Sequence, residues 1–174
     1  MKNNGFTFIE LIIAIVIVSI LSSFGYAKYT DFNKRQILKS SALNLITHIR
    51  QAQEKAMAVE KPSLNCQKLV GYEVYFSNVT TYSIRAQCDN GGGGTFPVVV
   101  GGLSLKSPVR VNNPGDFAGD SFNLNRVAFK IFGQGVRTPR TFCLRYGNTG
   151  TQYYKIQVTR SGEIIDGGAV SVCP

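Results

Sequence analysis

The chain has 174 residues, a length that suits one compact domain plus one long element and excludes two domains of typical size. Its content of 44% hydrophobic and 17% charged residues excludes a wholly disordered chain. Nineteen basic against ten acidic residues give a net charge of +9, which favours acidic partners such as phosphodiester backbones or anionic lipid surfaces. The single histidine, His48, argues against a histidine-rich metal site or a histidine-dependent catalytic pair. We therefore predict no catalytic residue, no metal and no cofactor.

The first element in the chain is a long apolar run. From Phe6 to Ala27 the only charged residue is Glu10. A helix rises about 1.5 Å per residue, so about 20 apolar residues cross a bilayer. The run is long enough to do so, and it is flanked by basic residues: Lys2 before it and Lys28, Lys34 and Arg35 after it.

Three interpretations of this run compete. A secretory signal peptide has a shorter apolar core that ends in a small-residue cleavage pattern, and no such pattern closes this run. A plain membrane anchor does not explain Glu10, because a carboxylate this deep in an apolar segment is costly and usually has a dedicated partner. The third interpretation is a segment that is cut near its start and retained in the mature protein, and the residues favour it.

The residues Asn-Gly-Phe-Thr-Phe-Ile-Glu, positions 4–10, resemble the type III signal of type IV pilins and type II secretion pseudopilins. In that family a short basic leader ends in Gly, and a membrane prepilin peptidase cuts after it and methylates the new amino terminus, usually a Phe. A Glu is the fifth residue of the mature chain. The resemblance implies a leader peptide over residues 1–5, processing at Gly5 and Phe6, and an assembly role for Glu10. The Leu common before the Ile-Glu pair is Phe8 here, another apolar residue.

Electrostatics supports the assembly role of Glu10. Cleavage after Gly5 creates an ammonium group on Phe6 next to the hydrocarbon region. Opposite charges attract more strongly at low dielectric than in water, whereas each charge alone has a large desolvation cost. We therefore expect Glu10 of an incoming subunit to pair with Phe6 of a neighbour and to set the axial register. The alternative is that Glu10 merely extends to the membrane interface.

The second half of the predicted helix is amphipathic. Apolar residues recur at spacings of three and four, which marks one helix face; they are Leu38, Ala42, Leu45, Ile49, Ala52, Ala56 and Val59. Pro62 disfavours helical geometry at Lys61, so the helix is predicted from about Phe6 to about Glu60. Residues 6–27 form its transmembrane or assembly half and residues 28–61 its amphipathic half. Packing on the chain's own sheet is favoured over a coiled-coil seam.

Residues 62–174 change to a period of two, which predicts a β-rich globular head. Tyr72 to Phe76 and Tyr82 to Ala86 alternate on either side of a turn and predict a hairpin. Three later strands are predicted from the same alternation: Val127–Ile131, Phe142–Tyr146 and Tyr154–Val158. The fold class is α+β, a long N-terminal α-helix packed on an antiparallel β-sheet head, as the pilin resemblance also implies.

A polar segment interrupts the head from Val111 to Asn125. It contains Asp116 and Asp120 among asparagines, and oxygen-rich loops of this kind can bind calcium. Their spacing matches no EF-hand loop, so a solvated loop is favoured over a metal site.

The four cysteines lie in the head and contain no C-x-x-C pair, which argues against zinc and thioredoxin-like sites. Their even number suggests disulfides formed in an oxidising compartment. Three pairings are possible. We favour Cys66–Cys88, which would brace the first hairpin, and Cys143–Cys173, which would tie the C-terminal end to a strand. The alternative is four buried thiols.

The head contains a basic window, since no acidic residue occurs from Ser121 to Gly162. Seven cations lie in it: Arg126, Lys130, Arg137, Arg140, Arg145, Lys155 and Arg160. Some minor pilins bind DNA through basic C-terminal loops, and Arg137 and Arg140 are the central candidates here, with tyrosines nearby that can stack on bases. Glu163, where DNA-binding members tend to have Arg, weakens this interpretation. An ordinary solvated basic face is favoured.

The function predicted from these features is structural. The chain is expected to be a pilin-like subunit of a type IV pilus or a type II secretion pseudopilus, stored as a single-pass inner-membrane protein with its head on the periplasmic side. The expected partners are other pilins or pseudopilins through the N-terminal helix, prepilin peptidase and the inner-membrane assembly platform. The alternative is a DNA-binding minor pilin for DNA uptake. An enzyme held by an ordinary anchor is a third hypothesis, disfavoured because no catalytic cluster is recognisable.

Overall fold

The computed structural model describes residues 7–62, 66–91, 94–112, 126–137, 139–148 and 150–173, and the side chains of all of them except 23–28. The helix α1 spans Phe8–Met57. Eight strands follow: β1 (Lys68–Phe76), β2 (Thr81–Asp89), β3 (Thr95–Ser104), β4 (Val109–Val111), β5 (Arg126–Lys130), β6 (Arg140–Tyr146), β7 (Tyr153–Val158) and β8 (Ile164–Val170). A short 3₁₀ helix, Ile131–Gly133, follows β5. The chain divides into two compact units, Met1–Gln36 and Ile37–Pro174.

From Phe8 to Leu21, in the first unit, α1 carries apolar side chains around its whole circumference, and Glu10 is the charged residue among them. Eleven large apolar side chains between Phe8 and Leu21 are each 42% to 78% exposed. The serine hydroxyls of this segment donate back to the helix, Ser19 to the Ile15 carbonyl and Ser22 to the Val18 carbonyl, each at 2.8 Å. In the described part of the chain, no helix combines the length and the hydropathy that crossing a bilayer requires.

In the second unit, α1 buries the predicted apolar stripe. Leu45, Ile49 and Ala52 are fully buried, together with Leu38, Ala42 and Ala56, against the two sheets. The helix ends at Met57, three residues before the predicted end, and Val59 has a left-handed φ of 51°. Val59 therefore packs on the core from outside the helix rather than from its stripe.

The first sheet has the strand order β3-β2-β1-β5 and is antiparallel throughout. The predicted hairpin is confirmed: β1 and β2 pair with Phe76 opposite Tyr82, and the alternate residues that were predicted to face inward are buried. A side chain at Gly71 would collide with the Phe129 carbonyl on β5, so the close approach of β1 and β5 requires glycine there.

The second sheet has the order β4-β6-β7-β8 and is also antiparallel. The described residues of the head thus form two four-stranded sheets, whereas the sequence predicted one. Strands β6 and β7 fall where the alternation placed them. Strands β3, β4 and β8 were not predicted, and Ile131 begins a 3₁₀ helix instead of ending β5. Strands β3 and β8 were missed because both are edge strands that contain a glycine pair and have mostly exposed residues, and β4 was missed because it has only three residues.

Aromatic side chains join the two sheets and the helix in the second unit. The rings of Phe76 on β1 and Phe142 on β6 have centroids 5.2 Å apart. His48 on α1 lies with its Nδ1 2.7 Å from the Tyr82 hydroxyl on β2. Burial lowers the pKa of His48 and raises the pKa of Tyr82 to about 12. The helix is therefore fixed to the sheet by a polar contact between uncharged groups as well as by apolar packing.

Candidate functional site

The N-terminal motif places Glu10 in the first turn of α1. The helix begins at Phe8, and the Leu11 amide donates to the Thr7 carbonyl at 3.3 Å. Gly5 and Phe6, the predicted processing residues, lie outside the described residues. A carboxylate in the first turn is favourable for a helix because the unpaired amides there carry partial positive charge. Glu10 therefore interacts favourably with the partial positive charge at the start of α1, and this interaction requires no basic side chain.

The surroundings of Glu10 are apolar and exposed. Its side chain is exposed and, within the described part of the chain, forms no ion pair. Phe8, Ile9 and Leu11 beside it are 78%, 62% and 54% exposed. A helix that is apolar on all sides is normally buried in a protein core or in a membrane. The segment of residues 8–21 therefore has one negative charge, that of Glu10, on an exposed apolar surface.

Two disulfides close the head. Cys66 and Cys88 are joined with Cα atoms 5.3 Å apart, at the open end of the β1–β2 hairpin. Cys143 on β6 is joined to Cys173 with Cα atoms 6.1 Å apart, which holds the chain after β8 against the second sheet. These are the two pairings that the sequence analysis favoured. Both bridges belong to the unit of residues 37–174.

The seven cations of the basic window are distributed over both sheets and the connections that follow β5 and β7. On β5 of the first sheet, Arg126 forms an ion pair with Glu73 at 3.3 Å, and the Glu73 side chain is only 2% exposed. Burial and the neighbouring charge of Arg126 together lower the pKa of Arg140. Arg126 is thus engaged in neutralising a buried acid, which reduces what it can offer to a nucleic acid.

Arg145 and Lys155 lie on the other sheet. They belong to adjacent strands, β6 and β7. Arg145 is directly opposite Tyr153, so these two side chains share a face of the sheet. Lys155 is two residues after Tyr153 and therefore points to the same face. Arg110 on β4 lies directly opposite Arg145 in the ladder and joins this face. Sequence reasoning missed Arg110 because it precedes the acid-free window. The Val-Arg-Val alternation of residues 109–111 was the available signal for a strand with Arg110 facing outward.

The other three cations are separate from these two groups. Lys130, Arg137 and Arg160 are exposed, at the end of β5, in the connection to β6 and in the β7–β8 turn respectively. Arg137 contributes its backbone amide to the Ala128 carbonyl. The predicted pair Arg137 and Arg140 differs in exposure, since Arg140 is half-buried.

No metal site is found among the residues that the structure describes, because no three His, Cys, Asp or Glu side chains there cluster closely enough. The loop with Asp116 and Asp120 lies outside those residues.

The N-terminal residues match a known protein family motif. The family model described as the prokaryotic N-terminal methylation motif matches residues 1–26. This motif is the signature of type IV pilins and pseudopilins, so the recognition based on residues 4–10 is confirmed. The motif implies a membrane-anchored precursor that is processed by prepilin peptidase, carries a methylated phenylalanine and assembles with other pilins.

The motif covers the N-terminal part of the chain alone. No curated protein and no solved structure matches the chain.

Proposed function

We propose that the chain is a structural, non-catalytic subunit of a type IV pilus or a type II secretion pseudopilus. Its precursor is held in the inner membrane by a single pass over residues 6–27 with the head on the periplasmic side. An inner-membrane assembly platform then moves the processed subunit into the fibre. The observation that carries the proposal is Glu10, an exposed carboxylate in an apolar helix that begins with the methylation motif.

Assembly follows from the chemistry of this segment. Packing the eleven exposed apolar side chains against the same segment of other subunits removes them from water or lipid. That packing also desolvates Glu10, and desolvation is costly unless a positive charge is near. The amino terminus of Phe6 on a neighbouring subunit supplies such a charge. The pairing then selects one axial offset between neighbouring subunits, whereas apolar packing alone permits many offsets.

The processing step is tested by the intact mass of the protein extracted from its native membrane. We expect the mass of residues 6–174 with one added methyl group. A mass that still includes residues 1–5 contradicts the proposal.

The assembly role is tested by Glu10→Ala in cells that build the fibre. Loss of the charge pair should leave the protein in the membrane but reduce its incorporation into fibres by roughly tenfold or more, the cost of leaving one buried charge unpaired. Glu54→Ala is the matched control, since Glu54 is an exposed glutamate on the same helix. Fibre content is measured by quantitative blotting of sheared fibres, and equal incorporation of the two variants refutes the role of Glu10.

DNA uptake by a minor pilin is the second hypothesis. It rests on the basic window, in which Arg126 is already paired with the buried Glu73. A salt-dependent shift assay with the full-length protein in detergent decides the question. Absence of binding at low salt ends this hypothesis and leaves the structural role intact.

A further inference from the structure

A cleft of about 440 Å³ opens where the β1–β2 turn, the β3–β4 connection and the β6–β7 turn meet. Its described lining residues are Thr80, Ser104, Leu105, Ser107, Pro108, Val109, Arg110, Gly147 and Asn148. The volume lies within the range of small-ligand sites, about 300–1,000 Å³. All of these residues belong to the unit of residues 37–174.

Backbone hydrogen bonds fix the walls of the cleft. The Leu105 amide donates to the Thr80 carbonyl at 2.8 Å, which holds the end of β3 against the β1–β2 turn. The Gly147 amide donates to the Pro108 carbonyl at 3.0 Å, which holds the β6–β7 turn against the β3–β4 connection. The cleft is therefore formed before any ligand arrives, and binding does not have to order these loops.

The lining combines one cation with neutral polar groups. Arg110 is the charged residue among the described lining residues, and no acidic residue accompanies it. The side chains of Ser104, Ser107 and Asn148 make no hydrogen bond to any other residue that the structure describes. Their donors and acceptors, with the guanidinium of Arg110, are available to a ligand.

A second arginine strengthens the preference for an anion. Arg145 lies directly opposite Arg110 in the β4–β6 ladder, and like charges in such positions destabilise a sheet. The Nε atom of Arg145 is buried and has no hydrogen-bond partner among the described residues. An anion bound at Arg110 offsets the repulsion between the two guanidinium groups.

We propose that this cleft binds an anionic saccharide. Arg110 holds the carboxylate or phosphate group, and Ser104, Ser107 and Asn148 contact the hydroxyl groups. One cation among neutral polar side chains matches a ligand with one anionic group per several hydroxyls. A nucleic acid, which presents a phosphate at every nucleotide, requires a row of cations instead. The proposal does not depend on the pilin-like function.

Calorimetric titration of the full-length protein in detergent tests the proposal. The ligands are trigalacturonate, glucose 6-phosphate, the neutral trisaccharide maltotriose and a short DNA duplex. Binding of either acidic sugar at least tenfold tighter than maltotriose supports the proposal, and the tighter of the two identifies carboxylate or phosphate as the anion. Binding of neither acidic sugar, equal binding of maltotriose, or tighter binding of the duplex overturns it.

Variants localise the site. Arg110→Gln should weaken binding of the acidic sugar about tenfold to a hundredfold, the usual effect of losing a hydrogen bond to a charged group. Lys106→Gln, which removes a nearby exposed cation that does not line the cleft, should change the affinity less than twofold. Asn148→Asp tests the cleft without altering a half-buried residue, and its added negative charge should weaken acidic-sugar binding severalfold more than it weakens maltotriose binding. Unchanged acidic-sugar affinity in both cleft variants overturns the proposal.

Discussion

The two parts of α1 use the same helical geometry for opposite purposes. Leu11, in residues 8–22, is 54% exposed, and the apolar residues around it point in all directions. Leu45, in residues 37–57, is fully buried, and its apolar neighbours repeat at spacings of three and four on one face. The difference shows that the distribution of apolar residues around a helix determines whether it packs on its own chain. The stripe is covered by the chain's own sheets, whereas the uniformly apolar part is exposed in the single chain and is available to the neighbouring subunits of the proposed fibre.

The largest expected effect tests the buried stripe. Leu45→Ala should lower the free energy of unfolding of residues 37–174 by about 2–5 kcal/mol, because it leaves a cavity against the sheets. Denaturant unfolding of the full-length protein in detergent measures the change. Leu43→Ala is the matched control on the same helix, where the side chain is 42% exposed and the change should stay within about 0.5 kcal/mol.

Equal changes in the free energy of unfolding for Leu45→Ala and Leu43→Ala would contradict the importance of the buried stripe. Leu11→Ala extends the test to the first part of the helix. It should leave the unfolding of residues 37–174 unchanged, since Leu11 belongs to the other unit.

The second largest effect is expected from the disulfides. Both lie in the unit of residues 37–174, so their removal should affect that unit and not residues 8–22. Replacing Cys66 and Cys88 together by Ala should lower the stability of that unit by about 2–4 kcal/mol. Hydrogen exchange should then accelerate in β1 and β2 and stay unchanged in residues 8–22. Equal acceleration in both regions would mean that the two parts of the chain unfold as one.

The smallest effect is a pH dependence within the second unit. Burial lowers the pKa of His48 below its ordinary value of 6.5, so the unfolded chain takes up a proton at a higher pH than the folded chain. The stability associated with neutral His48 is fully present above about pH 6.5 and is lost as the pH falls through the lowered pKa.

Denaturation midpoints measured from about pH 8 to about pH 5 should show this loss, and His48→Gln should flatten it. Tyr82→Phe removes the hydroxyl that contacts His48 Nδ1 but keeps the burial. Since burial is the cause of the lowered pKa, this variant should keep the pH dependence. A flat profile in Tyr82→Phe would assign the effect to the hydrogen bond instead.

Local patterns predicted the parts of the fold that obey them. The helix, the β1–β2 hairpin, β6 and β7 follow from periodicity, because each places buried residues at regular intervals. The second sheet was not predictable in this way, since its formation depends on pairings such as β4 with β6, whose strands are separated by 28 residues of intervening chain from Asn112 to Pro139. No local signal specifies which distant strands pair.

The candidate sites divide in the same manner. The N-terminal motif is contiguous, so residues 4–10 were sufficient to recognise it. The cleft with Arg110 is assembled from three separate connections, and Arg110 precedes the basic window in the sequence. The buried ion pair of Glu73 and Arg126 was equally hidden, because the two residues are 53 positions apart.

The two disulfides have a consequence for following the protein in cells. Thiols in the cytosol are kept reduced, so under the proposed function Cys66–Cys88 and Cys143–Cys173 are expected to close only after residues 66–173 have left that compartment. Precipitating the cells with acid and then dissolving the protein at neutral pH in denaturant with a mass-adding maleimide labels the free cysteines of chains that have not yet crossed. The ratio of shifted to unshifted bands on a gel, followed over time, then measures the rate at which the chain is exported.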